Sequence, residues 1–368
     1  MTAALDELVE RVCRQATDVR GDVHAVVAAQ VDRLAPLATA TQRSLVIARA
    51  VARLDGLDAL AEFLADPNVD EVMVNRGREV WVDRAGVVEH VADLPDGAID
   101  VVLERVLAPI GKRLDRTSPI IDARLPDGAR LCAVVSPVAV DGTTVSIRRH
   151  RHRQIPVQQF AGPDVSALLT RVVQGRSNIL VTGATSSGKT TLLAGLMGFA
   201  NPADRLVVIE DTAELVLDGR HTVRLEAQNG TADGVRPVEL VELVRTALRL
   251  RPDRMIVGEF RGTEVLAVIQ ALNTGHDGSL STCHANSGVD GLRRVETLVM
   301  QAAPSWPLTA IRRQVSRSID VVVHVERDVR GARQVVEVAE VIESGDEPSV
   351  RNLVVDGTVV TDIERVRR

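Results

Sequence analysis

The feature that most constrains this chain is a short apolar run that passes directly into a glycine-bounded loop, "NILVTGATSSGKTT", beginning at Asn178. The apolar run predicts a strand, and the Leu- and Ala-rich segment after the loop predicts a helix. Between them, GxxxxGKT lets successive backbone N–H groups converge at a helix N-terminus, where the helix dipole favours an anion. The sequence therefore predicts a phosphate-binding loop within an α/β domain.

Lysine is scarce in this chain, since only Lys112 and Lys189 occur among 368 residues. A compact ammonium on a flexible stem can reach the β- and γ-phosphates, whereas a planar guanidinium is larger and prefers fork-shaped partners. The Thr190 hydroxyl is placed to bind Mg²⁺, so ATP and Mg²⁺ are the expected cofactors. The predicted nucleotide-binding residues are Gly183, Ala184, Thr185, Ser186, Ser187, Gly188, Lys189, Thr190 and Thr191.

Composition argues against several classes of protein. The net charge is -6 and aromatic residues make up 2% of the chain, which disfavours a general nucleic-acid coat and leaves few stacking platforms for bases. Cys13, Cys132 and Cys283 are scattered and indicate neither a disulfide framework nor a zinc module. Because no apolar run approaches the roughly 18 residues of a membrane span, and no signal peptide is evident, we expect a cytoplasmic protein without a transmembrane segment.

The hydrophobic pattern changes along the chain and predicts an α/β protein. Residues 1–66 have helical spacing, and residues 67–150 contain short β-like runs with turn signals, which predicts a small mixed α/β domain with an antiparallel sheet. Residues 151–163 lose periodicity and are expected to form a linker. From residue 164 to 368, strands alternate with helices, which predicts a mostly parallel sheet.

Acidic residues follow two of these predicted strands. Glu210, Asp211 and Glu214 come after "RLVVI", and Glu259 comes after "RMIV". Acids at strand ends often are solvated or cap a helix. With a phosphate-binding loop upstream, however, the carboxyl ends of parallel strands place such acids beside the bound phosphates. Hydrolysis needs carboxylates there, one for the metal and one for the attacking water.

Two histidines, His276 and His284, lie in "NTGHDGSLSTCHANS". Zinc is disfavoured because no third ligand occurs at a recognisable spacing. A role as sensors of the γ-phosphate is favoured. The alternative, that each is a histidine satisfied in the core, stays open.

Four segments in order, "GATSSGKTT", "IEDTAEL", "LRLRPDRMIVGEFRGTE" and "NTGHDGSLSTCHANS", resemble the Walker A, Asp box, Walker B and His box of the secretion ATPase superfamily. Upstream, "LADPNVDEVMVN", "SPIIDARLPDGARLCAVV" and "TVSIRR" resemble the CpaF/TadA branch, which drives tight-adherence (Flp) pili. The resemblance covers roughly residues 55 to 330. Ala184 and Ser186 stand where many relatives have glycine, and Phe260 stands where valine is commoner.

The resemblance implies a RecA-like ATPase domain preceded by a PAS-like N-terminal domain, and it implies roles for single residues. Lys189 and Thr190 would bind phosphate and Mg²⁺, and Glu214 would orient or activate the water. Glu259 would support the metal, and the two histidines would sense the γ-phosphate.

The family forms hexamers in which the N-terminal domain contributes arginines to the nucleotide. In this sequence Arg124, Arg130, Arg148 and Arg149 are available, and Arg130 and Arg148 are favoured because both lie in strand-like stretches. The alternative is that these arginines only form a solvated face. The resemblance also implies partners among the inner-membrane platform proteins of a pilus or secretion apparatus, and hence peripheral association with the inner face of the cytoplasmic membrane.

The function that best fits is ATP hydrolysis that powers pilus assembly or secretion. A conjugation or DNA-uptake ATPase, a nucleic-acid translocase and a nucleotide-gated scaffold without activity remain as alternatives. Acidic charge and scarce aromatic residues weigh against the translocase. The presence of both Glu214 and Glu259 weighs against the scaffold.

Overall fold

The computed structural model describes most of the chain, namely residues 2–15, 23–54, 58–84, 86–125, 128–149, 155–215, 217, 221–228, 236–328, 331–343 and 347–364. The chain forms two compact units, one within residues 1–151 and the other within residues 152–368. In the described ranges, no helix has the length and apolar character needed to cross a membrane.

The first unit begins with helices that pack against one another through an apolar stripe of their own. The helices are α1 (Thr2–Gln15), α2 (Val23–Leu34), α3 (Ala40–Leu54) and, after a 3-10 turn, α4 (Ala61–Ala65). The first three share a small core in which buried residues recur at helical spacing. That core contains Val9, Val12, Val27, Val31, Val46 and Ala50.

A six-stranded sheet follows in the first unit. Its strands are β1 (Glu71–Asn75), β2 (Glu79–Arg84), β3 (Val87–Asp93), β4 (Ile120–Arg124), β5 (Arg130–Val134) and β6 (Thr144–Arg148), in the spatial order β3-β2-β1-β6-β5-β4. Every neighbouring pair is antiparallel. Helix α5 (Ala98–Leu107) shares the core of this sheet. The predicted mixed α/β domain with an antiparallel sheet is confirmed.

The second unit is built on a nine-stranded sheet with the order β15-β14-β13-β12-β7-β11-β10-β8-β9. The strands are β7 (Ile179–Gly183), β8 (Leu206–Glu210), β9 (Thr222–Glu226), β10 (Arg254–Val257), β11 (Leu280–His284), β12 (Val321–Arg327), β13 (Arg333–Ile342), β14 (Ser349–Val355) and β15 (Thr358–Val359). From β9 across to β12 every pairing is parallel, and β13 to β15 add an antiparallel edge. The predicted mostly parallel sheet is confirmed.

Helices cover both faces of this sheet. They are α6 (Pro163–Gln174), α7 (Lys189–Met197), α8 (Leu240–Ala247), α9 (Glu264–Leu272), α10 (Gly288–Ala302) and α11 (Leu308–Ser318). Along β7, Ile179 and Val181 belong to the core that includes α6 and α7, whereas Leu180 belongs to the core that includes α8 to α11. Because side chains alternate along a strand, the apolar run that predicted β7 serves both cores.

Part of the predicted linker, residues 151–154, lies outside the described residues. The rest packs into the second unit, because Val157 and Phe160 are buried in the same core as α6 and α7. Residues from 155 onward therefore belong to the second unit. Four further segments of this unit position the candidate site. The loop after β7 and the turns after β8, β10 and β11 all lie at the carboxyl edge of the parallel strands.

Candidate functional site

The glycine-bounded loop joins the end of β7 to the start of α7. A Cβ on Gly183 would lie 2.4 Å from the backbone oxygen of Val325, so only glycine fits between the two strands. Gly188 has a φ of 97°, in the left-handed region that glycine adopts readily. The amide groups in the first turn of α7 have no partner inside the helix, and the helix dipole makes this end favourable to anions.

Two departures from the family pattern have a structural account. Ser186 has a φ of 61°, a conformation in which glycine would be less strained, but the loop still closes with serine there. The residue after Glu259, Phe260, is buried and fills the core shared by α8 to α11. Neither substitution removes a group that the loop would offer to a phosphate.

Lys189 lies inside the loop. Its Nζ donates to the carbonyl oxygens of Gly183 at 3.1 Å and Ala184 at 2.8 Å, and it lies 3.2 Å from Nδ1 of His284. Burial lowers the pKa of this ammonium, while the charge of Glu259 opposes that shift. The positive charge is thus held where the loop would receive a phosphate.

A chain of charged groups continues from Lys189 along the carboxyl edge. Nε2 of His284 lies 2.8 Å from Oε1 of Glu259. On the other side, Arg261 donates through Nε to Oε2 of Glu259 at 2.7 Å and through one terminal nitrogen to Asp211 at 3.5 Å. Burial and the charge of Lys189 lower the pKa of His284, so its ring stays neutral more readily than a free histidine. The structure thus brings together residues from all four predicted motifs.

Glu210 ends β8 as a buried carboxyl group. Its Oε1 accepts the backbone N–H groups of Glu214 at 3.0 Å and Leu215 at 2.9 Å, while Oε2 has no hydrogen-bond partner within the described part of the chain. Burial raises the pKa of Glu210 to about 7. The stem of Glu210 also packs on Gly258, where a Cβ would lie 3.0 Å from its Cγ. Glu210 therefore fixes the backbone at Glu214 and lies against the residue before Glu259.

The residues at this edge fit a magnesium ion held together with phosphates. Ser187 has a buried hydroxyl without a hydrogen-bond partner among the described residues, which marks unsatisfied polarity inside the loop. Thr190 is half-buried in the first turn of α7, and Glu259 supplies a carboxylate at the same edge. In the described ranges no three His, Cys, Asp or Glu side chains form a metal cluster, so the ion would depend on phosphate oxygens, as Mg²⁺ commonly does.

His276 is not brought to this site. It precedes β11, at the opposite edge of the parallel strands, and its Nδ1 lies 3.1 Å from the carbonyl oxygen of Ala271. The carbonyl oxygen of His276 accepts a hydrogen bond from the Ser279 hydroxyl. Oδ1 of Asn178, which precedes β7, accepts the backbone N–H groups of Gly278 and Ser279. This placement fits the alternative of a structurally satisfied histidine, and we leave His276 out of the site.

Three of the four predicted arginines of the first unit lie side by side on its sheet, whereas Arg149 donates to the carbonyl oxygen of Asp66. Arg124 faces Arg130 across β4 and β5, Arg130 faces Arg148 across β5 and β6, and Arg148 faces Glu71 of β1. Directly opposed residues of antiparallel strands point to the same face. Arg130 is also paired with Asp122, with Nε at 3.1 Å from Oδ1, whereas Arg148 is exposed. Their action on a nucleotide stays a prediction.

Sequence reasoning missed Arg261 and the contact through which Glu210 holds the turn after β8. Arg261 lies only two residues after Glu259, so its place at the same strand end could have been inferred. The hydrogen bonds from the backbone of Glu214 and Leu215 to Glu210 could not have been inferred, because they depend on the turn that follows β8. Both additions make the acidic edge a connected network rather than separate carboxylates.

Comparisons with known proteins agree with this geometry. The family described as "Type II/IV secretion system protein" matches residues 53–349. A putative conjugal transfer protein of Mycobacterium tuberculosis is 36% identical over 299 residues, which cover 78% of this chain and 84% of the relative. The type IV secretion system protein PtlH of Bordetella pertussis is 34% identical, covering 76% of this chain and 91% of the relative.

The fold agrees as well. The ATPase DotB of Legionella pneumophila has a similar structure, with a TM-score of 0.55 and 19% identity over 76% of this chain and 78% of that one. The superfamily resemblance drawn from the four motifs is confirmed. The chain therefore belongs to the type II/IV secretion system protein family.

Proposed function

We propose that this protein hydrolyses ATP with Mg²⁺ and uses the energy to drive a pilus-assembly or secretion machine. The observation that carries the proposal is the convergence of Lys189, His284 and Glu259 at the phosphate-binding loop. A buried ammonium beside a helix N-terminus and a carboxylate at the end of a nearby parallel strand are groups that phosphoryl transfer uses.

Each side chain of the site has a distinct task in the proposed reaction. The loop amides and Lys189 bind the phosphates, and Thr190 with Glu259 would hold the metal. The bound Mg²⁺ would neutralise charge on the phosphate oxygens. Glu214, whose backbone is fixed by Glu210, orients the water and accepts its proton. His284 lies between Lys189 and Glu259, where it is placed to respond to the γ-phosphate.

The proposed assembly is a homo-hexamer in which Arg130 and Arg148 of the N-terminal domain reach a bound nucleotide. Such contacts would differ between the ATP and ADP states, and this difference is what would convert hydrolysis into movement. The row of arginines across β4, β5 and β6 supports the proposal, because it presents several guanidinium groups on one face of a rigid sheet.

For the machine that is driven, we propose a Flp pilus of the CpaF/TadA type, through contacts with platform proteins at the inner face of the cytoplasmic membrane. A conjugation apparatus is the second candidate. It is favoured by the relatives, since the Mycobacterium protein is named for conjugal transfer and PtlH for type IV secretion. Direct binding to nucleic acid is not part of either proposal.

Purified full-length protein tests the enzymatic part. We expect Mg²⁺-dependent release of phosphate from ATP, and a particle mass of six chains by light scattering in the presence of nucleotide. Single- or double-stranded DNA at physiological salt should change the rate by no more than a small factor. Strong stimulation by DNA would favour the translocase, and a protein that binds ATP without turnover would favour the scaffold.

The choice between a pilus and a conjugation apparatus must be tested in the cells from which the protein comes. A chromosomal Lys189→Ala variant should be made there, with Arg113→Ala as a matched control on an exposed position. Loss of surface pili with normal plasmid transfer would support the pilus, and the reverse would support conjugation. Normal pili and normal transfer in the Lys189→Ala cells would exclude both machines.

A further inference from the structure

An arginine outside all of the motifs lies against the phosphate-binding loop. A Cβ built on Gly188 would lie 2.7 Å from Cδ of Arg333 and 3.2 Å from its Nε. Gly188 is the residue at which α7 is capped, immediately before Lys189. The contact joins segments that are far apart in the sequence, so no local pattern predicts it.

The position of Arg333 follows from the sheet. Strand β12 is parallel to β7, so β12 ends at the same edge as the loop, and β13 begins there with Arg333 paired with Arg327. Two residues further along β13, the N–H group of the buried Val335 donates to the carbonyl oxygen of Phe160 at 2.8 Å, which anchors the start of the strand. The ring of Phe160 also lies against Gly188, at 3.1 Å from the built Cβ.

The charge of Arg333 lies close to the N-terminus of α7, where an anion is expected to bind. The N-terminus of a helix carries partial positive charge, so the helix end and any cation beside it together attract an anion. Here the N-terminus of α7 has two cations close by, Lys189 inside the loop and Arg333 beside Gly188. A polyanion bound to the loop would lie beside both cations.

We propose that Arg333 binds the polyphosphate of the nucleotide in cis, from the same chain that supplies the loop. This inference rests on the proposed ATPase function and deepens it. Backbone amides of such loops contact the α- and β-phosphates, whereas the lysine reaches the β- and γ-phosphates. Since Arg333 adjoins the backbone of Gly188, it contacts the phosphates that ATP and ADP share. Its contribution is therefore to binding more than to turnover.

The test uses the full chain and measures binding of ATP and ADP by titration calorimetry, together with kcat. Arg333→Gln is the main variant because it retains the stem that packs on Gly188 and removes only the charge. We expect its Kd for ADP and for ATP to rise by about tenfold or more, with kcat at saturating ATP within about threefold of the wild type. Arg333→Lys should recover part of the affinity.

Arg327→Ala is the matched control. Arg327 is exposed, pairs with Arg333 across the hairpin and donates through Nε to the carbonyl oxygen of Gly331 at 3.0 Å. Its removal should change either Kd by less than about twofold. Unchanged ADP affinity in Arg333→Gln, or a loss confined to kcat, overturns the inference while leaving the ATPase assignment in place. A wild-type protein that binds neither nucleotide overturns both.

Discussion

Nε2 of His284 lies 2.8 Å from Oε1 of Glu259, and the same histidine lies 3.2 Å from Nζ of Lys189 through Nδ1. The two ring nitrogens therefore face the cation of the loop on one side and the carboxylate of the next strand end on the other. A phosphate that attracts Lys189 would change this arrangement, which places His284 to link occupancy of the loop to the acidic edge.

The first prediction compares the two histidines of one motif. We expect His284→Ala to lower kcat for ATP by about a hundredfold while ADP binding is retained, since removal of a group that acts on the reacting phosphate costs this order of rate. His276→Ala serves as the matched control. Because His276 lies at the opposite edge of the sheet, its loss should change kcat by less than about threefold. Equal loss in both variants would contradict this assignment.

The separation of these histidines shows where sequence reasoning fails. Both lie in a single motif, and the pattern gives no reason to divide it. Yet β11, Leu280–His284, lies between them, and five extended residues span about 16 Å. One histidine therefore ends the strand at the loop while the other precedes it at the far edge. The segment "LSTCH" is largely polar, so it gives only a weak strand signal, although reading it as a strand would have divided the pair.

Other parts were predictable because their determinants are local. The loop, the strand before it and the helix after it lie within one continuous stretch, so spacing alone identifies them. The carboxylates after β8 and β10 could be placed by the rule that parallel strands end at one edge. Contacts such as Arg333 with Gly188 depend on how distant strands pair, and strand order is not encoded in any short pattern.

The second prediction separates two carboxylates. Glu214→Gln should bind ATP and Mg²⁺ as the wild type does, yet hydrolyse it at least roughly a hundredfold more slowly, as expected for loss of the group that positions or deprotonates water. Glu259→Gln should instead weaken the binding of Mg²⁺, measured as a higher metal concentration for half-maximal rate. If Glu259→Gln binds normally without turnover and Glu214→Gln hydrolyses normally, the two roles are exchanged.

The third prediction concerns pH and the buried Glu210. Because its pKa is raised from 4.5 to about 7 in the folded protein, the protonated form is favoured by folding and ionisation destabilises the native state. This contribution to stability is present below about pH 4.5 and is lost as the pH rises through 7, by about 3 kcal/mol in full.

Glu210→Gln removes that ionisation and retains an oxygen for the N–H groups of Glu214 and Leu215. Relative to the wild type, we expect the variant to gain stability from about pH 5 to pH 7 and the gain to level off above pH 7, as measured by urea unfolding at each pH. A constant difference between the two proteins across this range would show that Glu210 does not titrate there.

The fourth prediction concerns a buried ion pair at the amino edge of the parallel strands. Arg254 is 2% exposed, and its Nε donates to Asp204 at 2.6 Å while a terminal nitrogen donates to the carbonyl oxygens of Val173 and Gly278. Removing Arg254 would leave the largely buried Asp204 with only the longer, 3.4 Å contact to Arg176, and would take away a donor from the carbonyl oxygens of Val173 and Gly278. We expect Arg254→Ala to lower the free energy of unfolding by about 3–5 kcal/mol in denaturant titrations. Arg313→Ala, on an exposed face of α11, should cost less than about 0.5 kcal/mol.

The last prediction tests the proposed ring and its arginines together. If Arg148 reaches a nucleotide bound to a neighbouring subunit, each site combines a loop from one chain with a guanidinium from the next. Arg148 is the better probe than Arg130, because Arg130 is already paired with Asp122 and its loss would also disturb the sheet. Lys189→Ala and Arg148→Ala should each be inactive alone.

Mixed rings of these two proteins should regain activity. Where an Arg148→Ala subunit supplies its intact loop beside a Lys189→Ala subunit that supplies its intact arginine, one complete site is rebuilt. Loss of such an arginine can cost on the order of a thousandfold in rate, so even a minority of rebuilt sites would exceed the background. The assay is phosphate release after the two proteins are dissociated and reassembled together, against each protein treated alone. No recovery, with subunit exchange confirmed by native mass spectrometry, would mean that Arg148 does not complete a neighbour's site or that the ring turns over only when every site is intact.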